Sequence, residues 1–241
     1  MKNNLAAAII ASGLSLASAH ASAAVVRSDF SLDAEGWGTG RIVVSGFLPA
    51  VDGTFTGAVG HDPVGGTLRT GDLYPWTTFR SSAAYSGDKS AFFGGSISYD
   101  LQDSQNDGDP FPNVAILGDA GRMIFIPTAP PATGGFTHYE FALDESAGWR
   151  TNNPFALLAT DSYIQAVLAN VQGIWINADW KTGDDQGNDD ARLDNVCLRD
   201  SRTSCTTGLI PEPASLVLFG LALGLLGLSR KDGRPTDLRQ P

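Results

Sequence analysis

An all-β domain, a jelly-roll-like β-sandwich with one short helix, is the fold that the sequence predicts. Three observations point to it. Segments rich in β-branched and aromatic residues, such as Ile174-Trp175-Ile176, recur at short spacing. The stretches between them are rich in Gly, Pro and Asp, and the 241-residue chain has 28 glycines and only 17% charged residues, which suits a loop-rich β protein better than a helical one. One segment alone shows a helical period. Many short strands with turn signals between them indicate a sandwich or jelly roll, and no solenoid period appears.

The elements follow in chain order. Met1-Lys2 is a short basic start, Leu5 to Ala17 is mostly apolar and uncharged, and Ala21-Ser22-Ala23 is a small-residue A-x-A site. This is the pattern of a secretory signal peptide over 1–23, cleaved after Ala23, with Ala19-His20-Ala21 as an alternative site. The domain itself is expected over 24–209. Val25 to Phe30 reads as a first strand, and Asp33 to Trp37 as a turn ending on a large aromatic. Arg41 to Phe47 is a second strand, and Gly53 to Thr70 a Gly-rich loop or weak hairpin.

Ser90 to Leu101 alternates around Phe93, Ile97 and Tyr99, with Gly94-Gly95 marking a bulge or a close backbone approach. Gln102 to Pro112 is an acidic turn cluster. Val114 to Leu117 and Arg122 to Ile126 are strands joined by a Gly-containing turn. Pro127 to Gly135 is a loop, and Phe136 to Leu143 another strand. The helix is expected over Asp161 to Asn170. There Ile164, Val167, Leu168 and Val171 recur at i, i+3, i+4 and i+7, Thr160 or Asp161 caps the start, and Gly173 ends it. Ile174 to Trp180 and Ala191 to Leu198 are the last strands.

The remaining segment, 210–241, reads Pro211-Glu212-Pro213, then Ala214 to Leu228 without charge, then Arg230-Lys231. The uncharged stretch is short of the about 20 residues of a usual bilayer span and by length alone also fits a core helix. Its Gly- and Leu-rich make-up and the basic residues after it favour a transmembrane helix with a cytoplasmic tail.

Charge excludes one class of partner. The formal net charge is −10, and the segment between the two ends carries about −12. A surface that acidic repels phosphates, so no nucleic acid partner is expected; it suits calcium, neutral glycans or simple solubility. The two cysteines, Cys197 and Cys205, form an isolated pair that is expected to be a disulfide in an oxidising compartment. They lack the additional soft ligands that a zinc site requires.

Candidate sites are few. The richest is the acidic run near the end of the domain: Asp179, Asp184, Asp185, Asn188, Asp189, Asp190 and Asp194. It reads either as a structural calcium site, on Asp184, Asp185, Asn188, Asp189, Asp190 and Asp194, or as a solvated acidic hairpin. It does not fit an EF-hand. The run Asp100 to Asp109 reads as an exposed loop. Tyr74 and Trp76, flanking Pro75, are the aromatics best placed to stack on a sugar, or else anchor their loop on the sandwich. Trp175 reads as core. No G-x-S-x-G and no H-E-x-x-H occurs. His61 and His138 are the only histidines outside the signal segment, and no catalytic set assembles from them, so no catalytic residue is assigned.

Two resemblances are carried by these residues. Pro211-Glu212-Pro213, the apolar segment and Arg230-Lys231 resemble the PEP-CTERM sorting signal of Gram-negative bacteria. The tail Asp232 to Pro241 is longer than that signal's usual ending. The resemblance implies secretion, an inner-membrane intermediate held by the C-terminal helix, recognition and cleavage by an exosortase, and delivery to the cell surface or extracellular matrix in an exopolysaccharide or biofilm setting. The stretches Phe79 to Ser82, Tyr85-Ser86-Gly87-Asp88-Lys89-Ser90, Phe93 to Leu101, Ile174 to Trp180 and Arg192-Leu193-Asp194-Asn195-Val196 resemble the laminin B domain, also called laminin domain IV. Asp33 to Trp37 suits that domain's start. The resemblance covers about 29–198 and implies an extracellular β-sandwich without catalytic residues. The expected role is a non-catalytic surface or matrix protein that binds polysaccharide or partner proteins. The alternatives are a purely structural adhesion module and a carbohydrate-active enzyme.

Overall fold

Strand alternation in this chain sorts its apolar residues onto inner faces, and two antiparallel sheets enclose them. The computed structural model describes residues 24–45, 48–53, 55–74, 76–107, 111–152, 156–181 and 189–205. Its strands are β1 (Val25–Ser28), β2 (Gly38–Ser45), β3 (Leu48–Val51), β4 (Gly60–Asp62), β5 (Thr67–Gly71), β6 (Thr77–Arg80), β7 (Ser96–Asp103), β8 (Phe111–Leu117), β9 (Met123–Thr128), β10 (Thr137–Ala142), β11 (Arg150–Thr151), β12 (Gly173–Asn177) and β13 (Asp190–Arg199). One helix, α1 (Asp161–Leu168), and short 3₁₀ turns accompany them.

The first sheet runs β10-β7-β13-β5-β4, with β1 also on β13. The second runs β11-β9-β8-β12-β6-β2-β3. Between them lies the main core, with Phe30, Trp37, Phe79, Tyr85, Ile97, Tyr99, Leu101, Trp149 and Trp180 among its largest members. Helix α1 packs Ile164, Val167 and Leu168 into it, as the helical period predicts. Thr160 caps its start, accepting from the Tyr163 backbone N–H.

β13 changes neighbours halfway along. Asp190 to Leu193 pair with β5, and Val196 to Arg199 pair with β1. A bulge between Asp194 and Cys197 separates the halves. Asn195 sits there at φ 51°, a left-handed conformation that Asn tolerates better than most residues. Its side-chain amide donates to Asp100 Oδ2 at 2.8 Å.

Several expectations shift. Ser90 to Leu101 is not one strand: Ser90–Phe92 is a 3₁₀ turn, Gly94 turns the chain at φ 73°, and β7 starts only at Ser96. A Cβ on Gly95 would lie 1.9 Å from the Arg199 carbonyl oxygen, so the close backbone approach expected of this pair is present. The acidic turn after Leu101 is shorter than predicted, because β7 runs on to Asp103 and β8 begins at Phe111. Helix α1 ends at Leu168 with Ala169 as its cap. Gly173 does not end it but opens β12, where the Trp175 ring would meet any Cβ at 2.9 Å. β12 in turn stops at Asn177 rather than Trp180.

Trp175 is buried, but not between the sheets. It belongs to a second cluster with Ile42, Ala115 and Phe125, on the face of β12 opposite Ile174 and Ile176. The Arg80 guanidinium lies 5.3 Å from the ring centroid and ties down the 53–56 segment by donating to the Gly53 and Phe55 carbonyls and to Thr56 Oγ1.

Among the described residues no helix is long and apolar enough to cross a membrane. The signal segment 1–23, the sorting segment 210–241 and its Pro211, Glu212, Pro213, Arg230 and Lys231 lie outside the described residues.

Candidate functional site

Strand periodicity places acidic residues where the core ends. Along β7 the inward residues are Ile97, Tyr99 and Leu101, and the next position on that face is Asp103. Along β13 they are Leu193 and Ala191, and the next position outward from the core centre is Asp189. Ala191 stands opposite both Asp103 on β7 and Thr70 on β5, and two residues past Thr70 is Asp72. From the second sheet, β12 leads through Asn177 and Ala178 to Asp179. Asp72, Asp103, Asp179 and Asp189 are 7%, 0%, 7% and 6% exposed. The run after Leu101 is therefore not wholly an exposed loop, since Asp103 closes the core.

The Asp103 and Asp189 carboxyl groups lie within hydrogen-bonding reach of each other. Asp103 Oδ1 accepts from the Gln105 backbone N–H at 3.1 Å, and Asp189 Oδ1 accepts from Ser104 Oγ at 3.3 Å. Neither Oδ2 atom receives a hydrogen bond. Burial above all, and then the neighbouring Asp189 carboxyl, raises the Asp103 carboxyl far above the ordinary carboxylate range; Asp179 pushes the same way.

The acidic residues singled out in the sequence do not gather into one shell. Asp184, Asp185 and Asn188 lie outside the described residues. Asp189 points inward, whereas Asp190 points outward and bonds Arg69 Nε at 2.5 Å. Asp194 sits at the bulge of β13, where burial and the nearby Asp100 and Asp29 raise its carboxyl. Among the described residues no group of three or more His, Cys, Asp or Glu side chains forms a metal shell. Asp103 was missed because one carboxylate in an acidic run reads as solvent-facing; the alternation from Ile97 through Leu101 was the signal that could have found it.

Tyr74 and Trp76 are both half-buried. Tyr74 meets Phe55 edge-on at 5.0 Å, and Trp76 packs against the Trp175 cluster. Both therefore anchor their loop, and much of each ring is already in contact with protein. His61 Nε2 lies 2.7 Å from the Phe30 carbonyl oxygen and His138 Nδ1 2.7 Å from Asp100 Oδ1. A groove of about 380 Å³ runs along Gly95, Ser96, Glu140, Arg199 and Ser201, and three of its polar side chains engage one another: Arg199 and Ser96 Oγ both donate to Glu140 Oε1 at 2.7 Å. Cys197 and Cys205 are joined in a disulfide.

Comparison with known proteins agrees with this architecture. A family model, Laminin B (Domain IV), matches residues 78–217, so Asp33 to Trp37 fall outside its span. A second, the PEP-CTERM protein-sorting motif, matches residues 209–231. Among solved structures, the L4b domain of human laminin alpha-2 is similar with a TM-score of 0.53 and 17% identity, over 68% of this chain and 96% of that one. An exo-beta-agarase aligns at a TM-score of 0.42 and 12% identity, over 88% of this chain and 31% of that one. PfGH50B aligns at 0.41 and 10%, over 83% and 29%. No curated protein matches the sequence.

Proposed function

The chain belongs to the laminin B (domain IV) family, and on that premise we propose that it is a non-catalytic component of the bacterial surface or extracellular matrix, binding polysaccharide or partner proteins through the loops of a rigid sandwich. The observation that carries this reading is the presence, on one chain, of an extracellular-type domain and a PEP-CTERM sorting motif. The motif implies export to the surface of a Gram-negative bacterium. In this reading the chain passes the secretion machinery, is held in the inner membrane by its C-terminal helix, and is released or transferred by an exosortase. Both matched families are non-enzymatic.

The half-burial of Tyr74 and Trp76 favours a second reading, a structural adhesion module without a sugar site. Binding of the purified full chain to an array of neutral and acidic polysaccharides separates the two. Retention on a sugar, lost in Tyr74→Ala and Trp76→Ala variants that keep their melting temperature, supports the first; retention on none leaves the second. Processing is tested in a host that carries an exosortase: the mass of the product should correspond to cleavage near Pro211-Glu212-Pro213, and Glu212→Ala should block it.

A further inference from the structure

We infer that Asp103 and Asp189 are the protein ligands of a bound calcium ion at the end of the sandwich. Both side chains are more than nine-tenths buried, and their carboxyl groups meet. Apart from the contact between the two carboxyls, each has one oxygen, Oδ2, that no N–H or hydroxyl among the described residues reaches. A buried carboxylate normally finds a donor or a cation, because an unpaired one costs several kcal/mol. Two adjacent buried carboxyls, each with an oxygen that no N–H or hydroxyl among the described residues reaches, are what an oxygen-ligated cation would neutralise.

The ligand chemistry selects the ion. Both groups are hard oxygen donors, which suit calcium or magnesium and not zinc or copper. Calcium accepts six to eight ligands in irregular geometry, whereas magnesium demands a near-ideal octahedron. With only two side-chain ligands, affinity is expected in the weak range of extracellular modules, about 10⁻⁴–10⁻³ M. The inference does not depend on sugar binding by Tyr74 and Trp76.

The test compares the purified full chain with Asp103→Asn and Asp189→Asn, and with Asp194→Asn as a control away from the pair. Melting is followed in EDTA, in about 10 mM calcium and in about 10 mM magnesium. Calcium should raise the wild-type midpoint by about 3–6 °C, magnesium by less, and the control should keep the calcium response. Asp103→Asn and Asp189→Asn should each lose it. Terbium luminescence excited through tryptophan, with the neighbouring Trp180 as a donor, should appear in the wild type and be displaced by calcium. If either asparagine variant does not fold, the other must still weaken terbium binding about tenfold or more. Absence of both the calcium shift and the terbium signal in the wild type would overturn the inference. So would a shift that survives both substitutions.

Discussion

Ala24 and Asp200 hold each other by two hydrogen bonds: the Ala24 N–H donates to Asp200 Oδ2 at 3.1 Å, and the Asp200 N–H donates to the Ala24 carbonyl at 2.9 Å. Ala24 is also the residue that cleavage after Ala23 would make the new N-terminus. Its amide would then become an ammonium, and a hydrogen bond to the Asp200 carboxylate would become an ion pair with charge on both partners. Asp200→Asn should therefore destabilise a protein that starts at Ala24 by about 2 kcal/mol, and by less one that starts at Ser22. Chemical unfolding of the two forms, each with N-terminal sequencing, measures the difference.

The same carboxylate should confer a pH dependence. Hydrogen bonds from Thr203 first, and then from the Ala24 N–H, hold the Asp200 carboxyl well below the usual carboxylate range. Because the folded value is depressed, this stabilisation is present above the unfolded value of about 3.9 and is lost as pH falls below it. Melting curves from pH 6 to pH 2 should show the gap between wild type and Asp200→Asn narrowing below about pH 4. A gap that stays constant would place the stabilisation elsewhere.

Removing the disulfide should cost about 2–3 kcal/mol, the loop-closure value for so short a loop. Cys197 lies buried in β13, whereas Cys205 lies beyond the strand. Cys197→Ser therefore buries a hydroxyl as well as breaking the bond, and should be the more damaging of the two single substitutions. Urea unfolding of both, beside the reduced wild type, checks the order.

Gly94 and Gly95 are adjacent and should respond differently. At Gly94 the backbone is left-handed but the space beside it is open, so Gly94→Ala should cost about 1 kcal/mol. At Gly95 an added Cβ would meet the Arg199 carbonyl oxygen and Asp200 Cα at 1.9 and 2.7 Å. Both are backbone atoms and cannot swing aside, so Gly95→Ala should cost about 3 kcal/mol or more. Denaturation midpoints of the two variants test the contrast.

Arg80→Ala should free the 53–56 segment without unfolding the main core. Its guanidinium both bonds the carbonyls of that segment and covers Trp175. Faster hydrogen exchange over residues 52–58 and altered tryptophan emission, with the exchange of β7 and β13 unchanged, is the expected pattern.

The fold class was legible because its signals are local. The period of α1, the Thr160 cap, the strand runs around Ile97 and Ile174 and the cysteine pair each declare themselves within a few residues. What escaped is set by partners distant in the chain. Alternation shows that Trp175 and Ile174 face opposite ways, but not that the outer face has a cluster of its own. Gly173 reads as a helix stop, yet what it does is leave room for the Trp175 ring, which a Cβ there would meet at 2.9 Å. Asp103 carries the same polar label as its solvent-facing neighbours, and only the run of β7 past Leu101 turns it inward. For the candidate site, Asp189 was among the residues proposed for a metal and Asp103 was not, because nothing local joins them.

The pairing of β1 with β13 has a consequence for how such a chain travels. The first strand to emerge during synthesis finds its partner only when nearly the whole domain has followed, since Val25 aligns with Arg199. Until then β1 lacks the one strand it pairs with among the described residues, and the sheet lacks β13, its central strand. Contacts so distant in sequence form slowly. A polypeptide threaded outward through a narrow channel from its N-terminus would thus remain unfinished during transit, and its sheet would close only on the far side, just before the sorting segment arrives.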